Sequence, residues 1–253
     1  MKIILSPAKK MNVDEEKLEY SGMPVFLDKT KMILSWLQSR SYEELKSLWG
    51  CGDKIAEQNA ARLKDMDIEH GSTPAVIAYE GLAYQYMAPS VFEKSQIDYI
   101  QDHLRILSAF YGVLKPLDGV KPYRLEMQAK GKIENYKDLY DFWGDALYRE
   151  VIDGSGVIVN LASKEYYKCI ERYLKKSDRF ITCSFVEEAN GKLTTKGTYA
   201  KMARGEMVRF MAEKEIEDVE DIKYFNRLGY VYRQDMSDEN VYVFERKAMN
   251  GEV

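Results

Sequence analysis

Histidine is nearly missing from this chain: 253 residues hold only His70 and His103. Neither stands in an HExxH, HxH or CxxC setting, so no dedicated metal site and no metal cofactor is expected. Cysteine is scarce as well. Cys51, Cys169 and Cys183 are widely spaced and odd in number, which argues for reduced thiols in a cytosolic compartment and against a disulfide framework. Each reads first as a small buried hydrophobe. No apolar run reaches the ~20 residues that a membrane helix needs. The start, Met1-Lys2-Ile3-Ile4-Leu5-Ser6-Pro7, is too short in apolar residues for a signal peptide, and Lys9 and Lys10 follow directly. No internal repeat or low-complexity linker is visible, so one domain over residues 1–253 is expected.

An overall excess of positive charge is also missing. The chain has 37 Lys and Arg against 41 Asp and Glu, a net charge of −4, which by itself does not advertise a nucleic-acid partner. The distribution says more than the sum. Residues 1–12 carry Lys2, Lys9 and Lys10 and no acid. Residues 115–132 carry Lys115, Lys121, Arg124, Lys130 and Lys132 against Asp118 and Glu126. Residues 192–209 carry Lys192, Lys196, Lys201, Arg204 and Arg209 against Glu206 alone. Three basic segments in an acidic chain point to one shared basic cleft.

Hydrophobic periodicity predicts strands interleaved with helices. Lys2–Leu5 reads as a short buried strand stopped by Ser6-Pro7. Further strands are expected at Ala75–Ala78, Ile106–Tyr111, Gly156–Asn160 and Arg179–Val186, with a hairpin return through Asn190-Gly191 into Leu193–Thr195. Tyr230–Arg233 and Val241–Glu245 read as a closing hairpin. Helical spacing covers Leu27–Leu37, Ser41–Trp49, Lys54–Leu63, Gln96–His103, Lys137–Val151, Ser163 to about Leu174, and Thr198–Ala212. The fold class that follows is mixed α/β, a mixed sheet surrounded by helices.

Five motifs carry chemistry. In residues 41–64 a capping box, Ser41-Tyr42-Glu43-Glu44, starts one helix. Gly50 and Gly52 then permit a tight turn, and Asp53 can cap a second helix. Free N–H groups at such a turn form an anion site to which Lys54 adds charge. Ser6-Pro7-Ala8-Lys9-Lys10-Met11 sets lysines just past a strand end. In Pro116–Met127, prolines and Gly119 stiffen a loop in which Arg124 can grip a phosphate and Tyr123 can stack on a base, unless Glu126 neutralises Arg124. Asn160-Leu161-Ala162-Ser163-Lys164-Glu165 lies at a strand-to-helix junction, where ligands of α/β sheets commonly sit, although Ser163 also reads as a helix N-cap. On the last long helix Lys201 and Arg204 share a face.

Taken together, Ser-Pro-Ala-Lys-x-Met at 6–11, Pro-Leu-Asp-x-x-x-Pro-Tyr-Arg-Leu-Glu-Met at 116–127, Asn-Leu-Ala-Ser-x-Glu-Tyr at 160–166 and Ala-Lys-x-Ala-Arg-Gly-x-Met at 200–207 resemble the YaaA family, in its order and over almost the whole chain. The resemblance implies a cytosolic bacterial protein of the hydrogen peroxide stress response, linked to lowering free intracellular iron. It also implies an α/β fold with a positively charged cleft and a helix-hairpin-helix element that binds duplex DNA. The chain offers no evident iron ligands, so direct iron binding is not expected.

The leading expectation is therefore a DNA-protecting protein that binds double-stranded DNA. Gly50, Gly52, Lys54, Lys9, Lys10, Arg124, Lys201, Arg204 and Arg209 would hold the backbone, and no obligate protein partner is evident. A second reading is an enzyme acting on a nucleotide or base, with Tyr123, Glu126, Asn160, Ser163 and Glu165 around the ligand, a carboxylate as acid or base and a desolvated lysine as nucleophile. A third is a thiol peroxide sensor, for which Cys51, at a helix start, is the best placed.

Overall fold

A computed structural model describes residues 1–14, 16, 18–189 and 192–247. Its centre is an eight-stranded mixed sheet. The strands are β1 (Lys2–Leu5), β2 (Leu104–Ser108), β3 (Gly112–Leu114), β4 (Val157–Leu161), β5 (Arg179–Ala189), β6 (Lys192–Thr194), β7 (Tyr230–Tyr232) and β8 (Val241–Arg246). They run in the order β7-β8-β5-β4-β1-β2-β3, with β6 folded back on β5. β8, β5, β4, β1 and β2 are mutually parallel, and β7, β3 and β6 are antiparallel additions. Ile3 pairs with Leu104 on one side and Val159 on the other.

Parallel strands covered on both faces read as unbroken apolar runs. Ile3, Ile4 and Leu5 are accordingly buried, as are Leu104, Ile106 and Leu107 in β2 and Ile158, Val159 and Leu161 in β4. From β1 the chain crosses to β2 on one side. It later returns to β4 on the other and continues outward to β5 and β8. The direction of winding therefore reverses at β1, and a crevice opens beyond the carboxyl ends of β1 and β4.

Helices α1 (Leu27–Gln38), α2 (Tyr42–Trp49) and α3 (Asp53–Lys64) form one cluster. The long helix α7 (Gly197–Glu213) packs on α4 (Leu82–Met87), on α5 (Lys94–His103) and against β5. The α7–α4 contact is backbone-close: a methyl added to Gly205 would stand 1.9 Å from the Ala83 carbonyl oxygen. α6 (Lys164–Glu171) follows β4 directly.

The expected mixed α/β sheet with flanking helices is present, with four local differences. Ala75–Ala78 is a single helical turn and not a strand. The N–H groups of Ala75 and Val76 donate to the carbonyls of Asp118 and Pro116, so this segment docks on the 115–120 loop instead of a ladder. The continuous helix expected over 137–151 is two, Leu139–Trp143 and Ala146–Val151, because Gly144 leaves the helical basin. β2 stops at Ser108, whose Oγ accepts from the N–H groups of Phe110 and Tyr111 and turns the chain back into β3. β8 pairs with β7 as expected, but it is also a parallel neighbour of β5. The Asn190-Gly191 turn lies outside the described residues.

The loop at 115–120 is held from within. Asp118 is 5% exposed, and its carboxylate accepts from the N–H of Lys115 at 2.8 Å. Burial pushes its pKa up to about 6. No helix among the described residues is long and apolar enough to cross a membrane.

Candidate functional site

The crevice at the carboxyl ends of β1 and β4 holds a cavity of about 390 Å³. Four of the five motifs meet there. Ser6, Lys9 and Lys10 arrive from the end of β1, and Ser163, Glu165 and Tyr166 from the turn after β4 and the start of α6. Tyr123, Arg124 and Glu126 come from the stiff loop, and Lys201 and Arg204 from α7. Two of these arms are tied together directly: the N–H of Ser163 donates to Ser6 Oγ at 2.8 Å, and the two hydroxyls lie 3.2 Å apart. Ser163 occupies the N-cap position of α6 without making the expected side-chain cap bond, because its hydroxyl meets Ser6.

The charges divide into two groups. In the first, Glu126 accepts from both Lys9 (2.9 Å) and Arg124 (3.3 Å), and Arg124 also reaches the Lys9 carbonyl at 3.4 Å. Glu165 stands beside them, its Oε1 accepting from the N–H of Gln128 at 3.3 Å. Burial, with Glu126 nearby, holds the Glu165 carboxyl above the usual carboxylate range despite that bond. Lys10 is paired with Glu80 at 2.6 Å. The second group has no acid. Arg204 is largely buried, and its Nε is sealed from solvent with no acceptor. No carboxylate or carbonyl among the described residues pairs with it, and burial alone holds its pKa below the usual arginine value. Lys201, one turn earlier on the same face, is exposed and likewise unpaired among the described residues.

Three expectations about this cavity need correction. Asn160 does not line it: the side chain is buried, donating to Thr182 Oγ1 (3.1 Å) and accepting from the N–H of Ala162 (2.9 Å), so it shapes the turn after β4. Tyr123 forms part of the wall, but its ring has no free face for a base. It stacks on Phe110, and its hydroxyl is shared by Tyr79 (2.9 Å) and Ser108 (2.7 Å). No desolvated lysine is at hand as a nucleophile, since Lys9 and Lys10 are about two-thirds exposed and Lys201 is exposed. The sequence reading also missed an arm. Gly81, Leu82, Ala83 and Tyr84 form one wall, and Tyr84 donates to the Ser6 carbonyl at 2.9 Å. Glycine followed by apolar residues carries no chemical signature that would single it out.

A groove of about 800 Å³ adjoins the cavity and shares Lys9 and Glu126 with it. It runs between α2 and the 128–132 segment, with Gly50, Lys130 and Lys132 on its walls beside Glu43 and Glu44; Arg40 pairs with Glu44 at 3.3 Å and lies over the Trp36 ring at 5.3 Å. α2 starts in the expected capping box and ends at Gly50 with φ +55, a left-handed C-cap suited to glycine. Gly52, not Asp53, is the N-cap of α3. The Asp53 carboxylate is instead paired with Lys46 across the turn, which neutralises an acid otherwise hostile to a phosphate. A Cβ on Gly52 would meet nothing within 4 Å, so the turn is open to an incoming group. Gly52 and Lys54 line neither cavity nor groove. Arg209 lies away from both, paired with Glu213 at 2.7 Å.

The thiols stand apart from this chemistry. Cys169 and Cys183 are buried, and burial pushes both up to about 12. Cys51 is half-buried. No cluster of three or more His, Cys, Asp or Glu side chains among the described residues is placed to hold a metal ion.

A family model described as peroxide stress protein YaaA matches residues 1–236. A "UPF0246 protein" of Agathobacter rectalis is 66% identical over 247 residues, covering 98% of this chain and 99% of the relative. Proteins of the same description from Lachnoclostridium phytofermentans (52% identical, 99% and 98% covered) and Desulfitobacterium hafniense (54%, 96% and 97%) are also similar.

Proposed function

Since the chain belongs to the YaaA family of peroxide stress proteins, we propose that it serves that response in the cytoplasm by binding duplex DNA through phosphate contacts, and so shields the DNA. The observation that carries this reading is the groove at the α2–α3 turn. There Gly50, Lys130 and Lys132 line a groove of about 800 Å³, and the open Gly52 backbone follows in the same turn. Lys54 adds charge just outside it. Contacts of this kind position a backbone without reading its sequence.

The cationic set is narrower than the basic motifs suggested. Lys9 and Arg124 are already committed to Glu126, Lys10 to Glu80 and Arg209 to Glu213, and Lys201 and Arg204 line the cavity and not the groove. Three lysines, Lys54, Lys130 and Lys132, remain as phosphate partners, and each should add about −0.9 to the slope of log K against log salt. A fluorescence-anisotropy titration with a 20-bp duplex should therefore give a slope of about −2 to −3. The Lys130→Ala/Lys132→Ala variant should flatten it by about 2. A salt-independent affinity, or a slope unchanged in the double variant, would refute the reading. The link to lower free iron would then follow from the stress response, since no metal cluster is placed among the described residues.

A further inference from the structure

The cavity beside the groove is built for a different ligand. From α7 come Arg204 and Lys201, two cations with no counter-charge among the described residues, Arg204 largely buried. A buried charge left unpaired costs several kcal/mol in general, so such a site is retained where an anion completes it. Two cations match the charge of a phosphate dianion, whereas a monocarboxylate would leave one uncompensated. From the start of α6 comes Glu165, which is not among the groups whose charge acts on Arg204, while Glu126 is already engaged by Lys9 and Arg124. A carboxyl there meets a hydrogen-bond donor. The rest of the wall is largely apolar, supplied by Leu5, Pro7, Leu82 and Leu161 among others. The volume, about 390 Å³, suits a ligand of about 20 non-hydrogen atoms and is generous for an amino acid.

We propose that this cavity binds one nucleoside monophosphate unit, its phosphate on Arg204 and Lys201 and an amino-bearing base, adenine, guanine or cytosine, against Glu165. The inference does not rest on duplex binding, because the duplex reading uses the groove lysines and not these residues. The same chemistry comes from a free nucleotide or from one unit of a single strand.

The test is calorimetric titration of the full chain with dAMP, dGMP, dCMP, TMP and inorganic phosphate. One site is expected, with at least one amino-bearing nucleotide binding tenfold or more tighter than TMP and phosphate competing weakly. Arg204→Gln should weaken nucleotide and phosphate alike by tenfold or more. It should leave duplex affinity unchanged and should not lower the melting temperature, since it removes an unpaired buried charge. Exposed Lys201→Ala should weaken both several-fold without touching the fold. Glu165→Gln should weaken the amino-bearing nucleotide and leave phosphate alone. Displacement of the nucleotide by a single-stranded hexamer assigns the natural ligand to a strand; failure to displace assigns it to the free nucleotide. Absence of nucleotide binding at 1 mM, TMP binding as well as the rest, or an indifferent Arg204→Gln overturns the proposal. Loss of duplex binding alone would leave it standing.

Discussion

Replacing Gly205 by alanine should unseat the wall between α7 and α4. The added methyl would stand 1.9 Å from the Ala83 carbonyl oxygen and 2.7 Å from the carbonyl carbon, both backbone atoms that no rotamer change can move aside. Unbonded heavy atoms settle near 3.5 Å, so the two helices must part by roughly 1.5 Å. Overpacking of this kind costs about 1–3 kcal/mol, and the upper end applies where both partners are backbone. Alanine gains back about 1 kcal/mol in helix propensity. The net loss is about 2 kcal/mol, which for a chain of this size lowers the melting temperature by roughly 4–8 °C. Scanning calorimetry reads it directly. Gly197→Ala is the matched control at the start of the same helix: its methyl meets nothing within 4 Å, so it should melt at or slightly above the parent temperature. Because Arg204 is the preceding residue and Ala83 lines the cavity, nucleotide binding should fall in Gly205→Ala and persist in Gly197→Ala. A Gly205→Ala protein that melts at or above the parent temperature would refute the close-packing argument.

Two further outcomes follow from buried titratable groups. The Asp118 carboxyl is raised to about 6 in the fold, so its neutral form favours folding. That contribution is complete below about pH 4 and is lost as pH rises through about 6, a difference of roughly 3 kcal/mol. Asp118→Asn abolishes the titration yet keeps an acceptor for the Lys115 N–H. Its stability relative to the parent in urea should therefore rise between pH 4 and 6 and then level off, and a flat difference would refute it. Cys169 and Cys183, pushed up to about 12 by burial, should resist an aromatic disulfide reagent in the folded protein while Cys51 reacts. Equal rates at all three thiols would show that the burial is wrong.

Much of this architecture was legible in the residues. Ile3-Ile4-Leu5 between Lys2 and Ser6 announces a central strand, and Ser41 with Glu44 announces a helix start. Strand partners were not legible. The pattern of β8 fits its hairpin with β7, and nothing local foretells its second, parallel neighbour in β5. Whether the polar motifs meet was not legible; they meet because Ser6 and Ser163 each follow a buried strand and those two strands are adjacent. Asn160 misled because a polar residue at a strand end looks like a ligand contact, whereas side chains alternate across a strand and this one meets Thr182. The isolation of Arg204 is invisible in sequence, since it depends on which acids the fold leaves out of reach.

The position of β1 bears on how this chain is made. This strand emerges from the ribosome before its partners, β2 and β4, which lie about 100 and about 155 residues further on. At bacterial synthesis rates of ~5–20 residues per second, Ile3-Ile4-Leu5 waits on the order of ten seconds before both flanks exist. For that interval three of the most deeply buried side chains, Ile3, Ile4 and Leu5, stand exposed on a nascent chain. The cavity is thus a late product of folding, closed only when β1 meets β4. Lys9 and Lys10, next to that waiting strand, keep the nascent segment charged and soluble until its neighbours arrive.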